Sequence, residues 1–151
     1  GKSILIYLNA GNGTFNDPIR LSLYDQNPFA ADIGDVNSDG SPDIVFVSLT
    51  TAMVGVVLAR SDGTFSNATF YSTGPHIFPS GLTLGYFNND THLDIAMPNP
   101  DADTIFLLMG RGDGTFGDSR VFSVGYDVGP TWIMMRDLNH DGQNDLVVTY
   151  S

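Results

Sequence analysis

Three segments carry oxygen side chains at alternate positions. Asp35–Asp43 reads DVNSDGSPD, Asp137–Asp145 reads DLNHDGQND, and Tyr86–Asp94 reads YFNNDTHLD. With Asp35 as position 1, Asn37 and Asp39 fall at positions 3 and 5 and Asp43 at position 9. Ser41, at position 7, offers its backbone carbonyl, and Gly40 lets the chain turn sharply between them. Three carboxylates, an amide oxygen and a carbonyl make a hard oxygen shell, which suits Ca²⁺ and not Zn²⁺ or Cu²⁺. Asp137, Asn139, Asp141, the Gln143 carbonyl and Asp145 repeat that set. In the middle copy Tyr86 replaces the first Asp and Thr91 the Gly, leaving Asn88, Asp90, His92 and Asp94 as a weak or empty site. An EF-hand would need Glu at position 12 and flanking helices. Position 12 is Phe46 or Val148, and both flanks read as strands, so that reading is excluded. The bland alternative is a set of metal-free Asx turns. Clustered carboxylates without a cation cost free energy, which favours the metal reading.

Other reactive groupings are sparse. The three histidines, His76, His92 and His140, sit at unrelated places, and no nucleophile–base pair is apparent, so the chain is not expected to be an enzyme. Trp132, Tyr126, Asp127, His76 and Phe78 lie in or beside one class of connection, and Asn99, Asp101 and Asp103 in another. An aromatic ring stacked on a sugar, with Asp accepting hydroxyl hydrogen bonds, would make a carbohydrate site there. Trp132 also reads as core packing at the start of a strand. Arg111-Gly112-Asp113 spells an adhesion tripeptide, but Asp113-Gly114 matches Asp62-Gly63 and Arg111 stands where Arg60 does, so the hairpin accounts for it.

The elements that must position these residues repeat with them. Asp35, Tyr86 and Asp137 are 51 positions apart, as are Pro28, Pro79 and Pro130. Each acidic segment leads into an apolar run (Ile44–Val47, Ile95–Met97, Leu146–Val148) and, in the first two units, a second run (Val54–Leu58, Ile105–Leu108). Ile4–Leu8 matches the second run near the N-terminus. Asn-Gly-Thr-Phe or Asp-Gly-Thr-Phe follows at Asn12–Phe15, Asp62–Phe65 and Asp113–Phe116, and supplies the positive φ angles of a tight hairpin. Runs at Phe29–Ile33, Leu82–Leu84 and Thr131–Met135 precede the acidic segments, and runs at Ile19–Leu23, Thr69–Ser72 and Arg120–Val124 follow the hairpins. Four short strands in a unit of this length predict an all-β fold, a β-propeller of four-stranded blades. The expected division is 1–28 (half a blade), 29–78 and 79–129 (whole blades) and 130–151 (half a blade).

Composition agrees. All 17 acidic residues are Asp and there is one Lys. A chain that avoids Glu and Lys but holds 17 Gly and 8 Pro favours turns over helices. Its net charge of −11 argues against nucleic acid and anionic membrane surfaces. No apolar run approaches the roughly 20 residues that span a bilayer, so no membrane insertion is expected. With no cysteine, disulfides and thiolate metal sites are out. Sequons at Asn12, Asn67 and Asn89 suggest a secreted protein.

The DxNxDGxxD loop, the strand after it and the closing Asp-Gly-Thr-Phe resemble FG-GAP/VCBS repeats, the blades of integrin α-subunit heads and of some fungal lectins. The resemblance implies calcium in the loop between a blade's first and second strands, here at Asp35, Asn37, Asp39 and Asp43 and at Asp137, Asn139, Asp141 and Asp145. It implies a module for extracellular recognition or adhesion with a protein or glycan partner; a carbohydrate-binding lectin is the alternative. Without a visible signal peptide, the chain reads as a mature or excised segment. Three blade-equivalents are fewer than the about four blades of the smallest propellers, so a homodimer closing a six-bladed ring is expected, with a trimer as the lesser possibility.

Overall fold

Val, Ile, Phe and Tyr dominate the runs that become strands, because branched and aromatic side chains pack well on a pleated surface. The computed structural model describes residues 2–24, 26–48, 51–73 and 79–150. In chain order the strands are β1 (Ser3–Ile6), β2 (Ile19–Ser22), β3 (Pro28–Gly34), β4 (Asp43–Ser48), β5 (Met53–Val57), β6 (Thr69–Ser72), β7 (Thr83–Gly85), β8 (Asp94–Asn99), β9 (Thr104–Gly110), β10 (Phe116–Ser123), β11 (Pro130–Arg136) and β12 (Asp145–Tyr150). One 3₁₀ turn, Pro100–Ala102, links β8 to β9. Most strands cover the runs read from the sequence, with their ends moved by a residue or two. Tyr7, Leu8 and Leu58 lie beyond the ends of β1 and β5, because the chain there turns into the hairpins.

All pairing is antiparallel. The strands form two four-stranded sheets, β3-β4-β5-β6 and β7-β8-β9-β10, and two two-stranded sheets, β1-β2 and β11-β12. Four-stranded antiparallel sheets of sequential strands have the form of propeller blades. This order places the acidic loops and the Gly-Thr-Phe hairpins at one end of each sheet, and the second-to-third connections at the other.

The central strands β4 and β8 are buried along their whole length. Their apolar side chains fill three layers. Val45, Val47, Val54, Val56, Ile95, Met97 and Phe106 lie between the four-stranded sheets. Ala96, Ile105, Leu107 and Ile133 lie between the second of these and β11-β12, and Phe46, Ile44 and Val57 meet Ile4, Ile6 and Leu21 of β1-β2. Two local features are imposed by single residues. Gly55 pairs with Phe46, and a Cβ at Gly55 would overlap the Phe46 ring. Pro98 has no N–H to give a neighbouring strand, and β7 stops at Gly85↔Asp94 and Thr83↔Ala96 without reaching it, whereas β3 and β11 are seven residues long.

Candidate metal centre

Loop 1, between β3 and β4, is shaped by its own side chains. Asp35 accepts the N–H of Asp39 at Oδ1 (3.1 Å) and that of Gly40 at Oδ2 (2.8 Å). Asn37 Oδ1 accepts the same Asp39 N–H (3.1 Å), its Nδ2 donates to Asp39 Oδ2 (2.8 Å), and Asp39 Oδ1 accepts the Ser41 N–H (2.8 Å). Ser38 and Gly40 both take left-handed backbone, φ 59° and 85°. Loop 3, between β11 and β12, repeats the scheme. Asp137 accepts the N–H groups of His140, Asp141 and Gly142, Asn139 bridges to Asp141, and Asp141 accepts the Gln143 N–H. His140 and Gly142 have φ of 63° and 88°.

Loop 2 differs because its first residue is Tyr86. No carboxylate stands there to gather the N–H groups of positions 5 and 6, and neither Asn89 nor Thr91 takes a positive φ. Asn88 Oδ1 still accepts the Asp90 N–H (2.8 Å) and Asp90 Oδ1 the His92 N–H (2.9 Å). His92 packs under the next hairpin, where a Cβ at Gly112 would overlap its ring, and its Nδ1 is buried without a partner.

The position-9 carboxylates do more than face the loop. Buried Asp43 accepts Val36 N–H at Oδ2 (3.0 Å) and Ala59 N–H at Oδ1 (2.8 Å). Buried Asp94 does the same with Phe87 (2.9 Å) and Gly110 (2.8 Å). Each ties the start of its loop to the end of the third strand. Burial pushes both carboxyl pKa values up, against the pull of those N–H bonds; Asp39 and Asp35 add to the rise at Asp43, and Asp90 at Asp94. Asp39, at the surface, is held below the usual range by the Ser41 N–H and the Asn37 amide. Among the described residues no three acidic or His side chains are drawn tightly enough together to form a ready-made cluster; the loop oxygens are turned to their own backbone. The donor set nevertheless fits a hard cation, since each loop carboxylate keeps at least one lone pair beyond the N–H groups it accepts.

At the opposite end of the sheets two connections meet. Asp103, itself left-handed at φ 53°, accepts the N–H groups of Asp127 (2.8 Å), Val128 (2.9 Å) and Gly129 (2.7 Å). Those bonds, Gly129 foremost, hold its carboxyl below the usual range. Asp103 is thus a clamp between connections and not a free ligand group. Asp101 sits in the 3₁₀ turn and is exposed. Tyr126 is 94% exposed and Trp132, on β11, 55%, so Trp132 does not pack in the core. His76 and Phe78 lie outside the described residues. A residue that periodicity could not reveal is Asp32, whose Oδ2 accepts Leu84 N–H (2.9 Å) and joins the two four-stranded sheets; its equivalents are Thr83 and Met134.

Models of the FG-GAP-like repeat match residues 1–46, 35–97 and 86–148. The second and third matches begin on position 1 of loops 1 and 2. The chain is an FG-GAP repeat protein. No curated protein matches it. In this FG-GAP chain the family's acidic motif is the connection between the first and second strands of a sheet, and its Gly-Thr-Phe motif is the hairpin between the third and fourth.

Proposed function

We propose that this FG-GAP protein is a calcium-stabilised β-propeller module for extracellular recognition or adhesion, a binding and not a catalytic protein. The observation that carries the reading is the shared architecture of loops 1 and 3. Two segments far apart in sequence hold Asp, Asn and Asp with five hydrogen bonds in common and left-handed residues at the same two positions. Asp35, Asn37, Asp39, the Ser41 carbonyl and Asp43 would hold one ion, and Asp137, Asn139, Asp141, the Gln143 carbonyl and Asp145 the other. A bound Ca²⁺ would neutralise the clustered carboxylates and lock the loop. The exposure of all three sequon asparagines, Asn12, Asn67 and Asn89, supports a secreted protein. Calorimetric titration with Ca²⁺ after EDTA treatment tests the reading: two sites are expected, and no heat at millimolar Ca²⁺ would sink it.

A second reading, a lectin, is favoured by the exposure of Tyr126 and Trp132 and of Asp101 and Asp127. Stacking rings with hydroxyl acceptors suit a saccharide. A glycan array separates the two: a defined set of bound sugars, lost in Trp132→Ala, supports the lectin.

A further inference from the structure

The seam between β1-β2 and the first four-stranded sheet is packed differently from the seam that follows it. Ile4↔Leu21 and Ser3↔Ser22 in β1-β2 stand where Val54↔Tyr71 and Met53↔Ser72 stand in β5-β6, so Leu21 is the counterpart of Tyr71. In the same way Phe65 is the counterpart of Phe116, each closing a Gly-Thr-Phe hairpin. Between the two four-stranded sheets Tyr71 fills the seam. Its ring lies edge-on to Phe116 with centroids 5.6 Å apart, and its hydroxyl donates to the Gly114 carbonyl (3.2 Å). At the earlier seam the shorter Leu21 takes that place. A groove of about 210 Å³ is left, lined by Leu21, Leu23, Tyr24, Val57, Phe65 and Asn67 among others. Leu21, Leu23, Val57 and Phe65 belong to the apolar layer beneath it. β2 and β6 are edge strands, so the groove opens along the outer side of both sheets.

Asn67 stands on the rim of this groove and begins the sequon Asn67-Ala68-Thr69. Its main chain is held in place. The Ser66 N–H donates to the Leu58 carbonyl (2.8 Å), the Leu58 N–H to Ser66 Oγ (2.9 Å), and the Ser66 hydroxyl to the Asn67 carbonyl (2.9 Å). The Asn67 side chain is exposed, and among the described residues its amide makes no hydrogen bond. Nδ2 can therefore carry a substituent while the main chain keeps that substituent at the groove. The other two sequons differ. Asn12 Oδ1 accepts both the N–H (3.1 Å) and the hydroxyl (2.6 Å) of Thr14 at a hairpin tip. Asn89 stands in loop 2, beside a wider opening of about 560 Å³ lined by loop residues and not by packed strands.

We propose that Asn67 carries an N-linked oligosaccharide, and that its first sugar, an N-acetylhexosamine, sits in the groove and fills this seam as the Tyr71 ring fills the next. The groove is smaller than the roughly 300–1,000 Å³ of pockets for drug-sized ligands, which leaves room for one sugar ring. The C–H face of that ring packs on Phe65 and Leu21, since aromatic and aliphatic side chains take an apolar face, and its hydroxyls stay at the open side. Attachment is a glycosyl transfer from a polyprenyl diphosphate. The bond from Asn67 Nδ2 to the anomeric carbon forms, the bond from that carbon to the diphosphate oxygen breaks, and the amide gives up one proton as the diphosphate leaves. The attachment rests on the secretion proposed above; the groove does not.

The test is to produce the chain through the secretory route of a eukaryotic host. The host supplies the transferase whether or not the native protein is exported, so failure of the secretion reading leaves this result untouched. Peptide mass spectrometry should find Asn67 occupied. After an endoglycosidase has cut between the first two sugars, the protein that keeps one sugar should melt roughly 2–4 °C above Asn67→Gln. Asn12→Gln and Asn89→Gln, trimmed in the same way, should melt with the wild type. In Leu21→Tyr, where a ring refills the groove, the sugar at Asn67 should no longer change the melting temperature. If Leu21→Tyr does not fold, hydrogen exchange over residues 20–24 decides, and it should be slower with the sugar than without it. Asn67 left unoccupied, equal melting of the trimmed protein and Asn67→Gln, or unchanged exchange would overturn the proposal.

Discussion

Replacing Asp94 separates a structural carboxylate from a metal ligand. In Asp94→Ala the N–H groups of Phe87 and Gly110 lose their acceptor at a site closed to solvent. Each such orphan costs about 1–3 kcal/mol, so the pair costs roughly 2–6 kcal/mol. Part is returned, because burial already disfavours the ionised carboxylate, as its raised pKa shows. A net loss of about 3 kcal/mol lowers the melting temperature of a chain this long by roughly 6–12 °C. Asp90→Ala, four residues away, frees only the N–H of His92 at an exposed site, which water satisfies; its effect should stay within about 0.5 kcal/mol. Both variants are melted in EDTA, followed by far-UV circular dichroism. If Asp94 served only as a metal ligand, EDTA would erase its effect. An Asp94→Ala protein melting within about 2 °C of wild type in EDTA, less than 1 kcal/mol at this length, would refute the hydrogen-bond account.

Saturating calcium should raise the melting temperature through loops 1 and 3, by about 2.7 kcal/mol per site at 100 times Kd; Asp39→Ala and Asp141→Ala should each remove most of one site's share and Asp90→Ala little, as calorimetry with and without EDTA will show. Ligand binding should weaken in Trp132→Ala and Asp101→Ala and persist in Arg111→Ala, measured on whichever glycan or protein an array identifies; loss in Arg111→Ala alone would transfer the activity to the adhesion tripeptide. Asp103 gives a pH signature. Its folded pKa lies below the 3.8 of the free side chain, so its contribution is fully present above about pH 3.8 and disappears as pH falls through the folded value. The melting difference between wild type and Asp103→Ala should therefore be flat from pH 7 to about 4 and shrink below that, and a difference that grows on acidification would contradict the clamp.

Asp35, Asn37, Asp39 and Gly40 and their copies in loop 3 were legible in the sequence, along with the strands on either side, because they act within a few residues of one another. A loop's turn depends on its own carboxylates and glycine, and a strand's identity on its own branched residues. The constant period then ordered the sheets, since each repeat folds by the same local rules. What lies between repeats was not legible. That Asp43 and Asp94 reach the N–H at the far end of a third strand follows from sheet pairing, which sets residues 16 apart side by side. Asp103 became a clamp and not a ligand because the turn before it carries its carboxylate onto three N–H groups of the next connection. His92 is half-covered by a hairpin, and Trp132 stands exposed on β11. Asp32 bridges two sheets through a position that the repeat does not preserve. The period specifies each unit. Which side chains meet across units is decided by how the sheets stack, because packing between elements distant in sequence leaves no periodic trace in either.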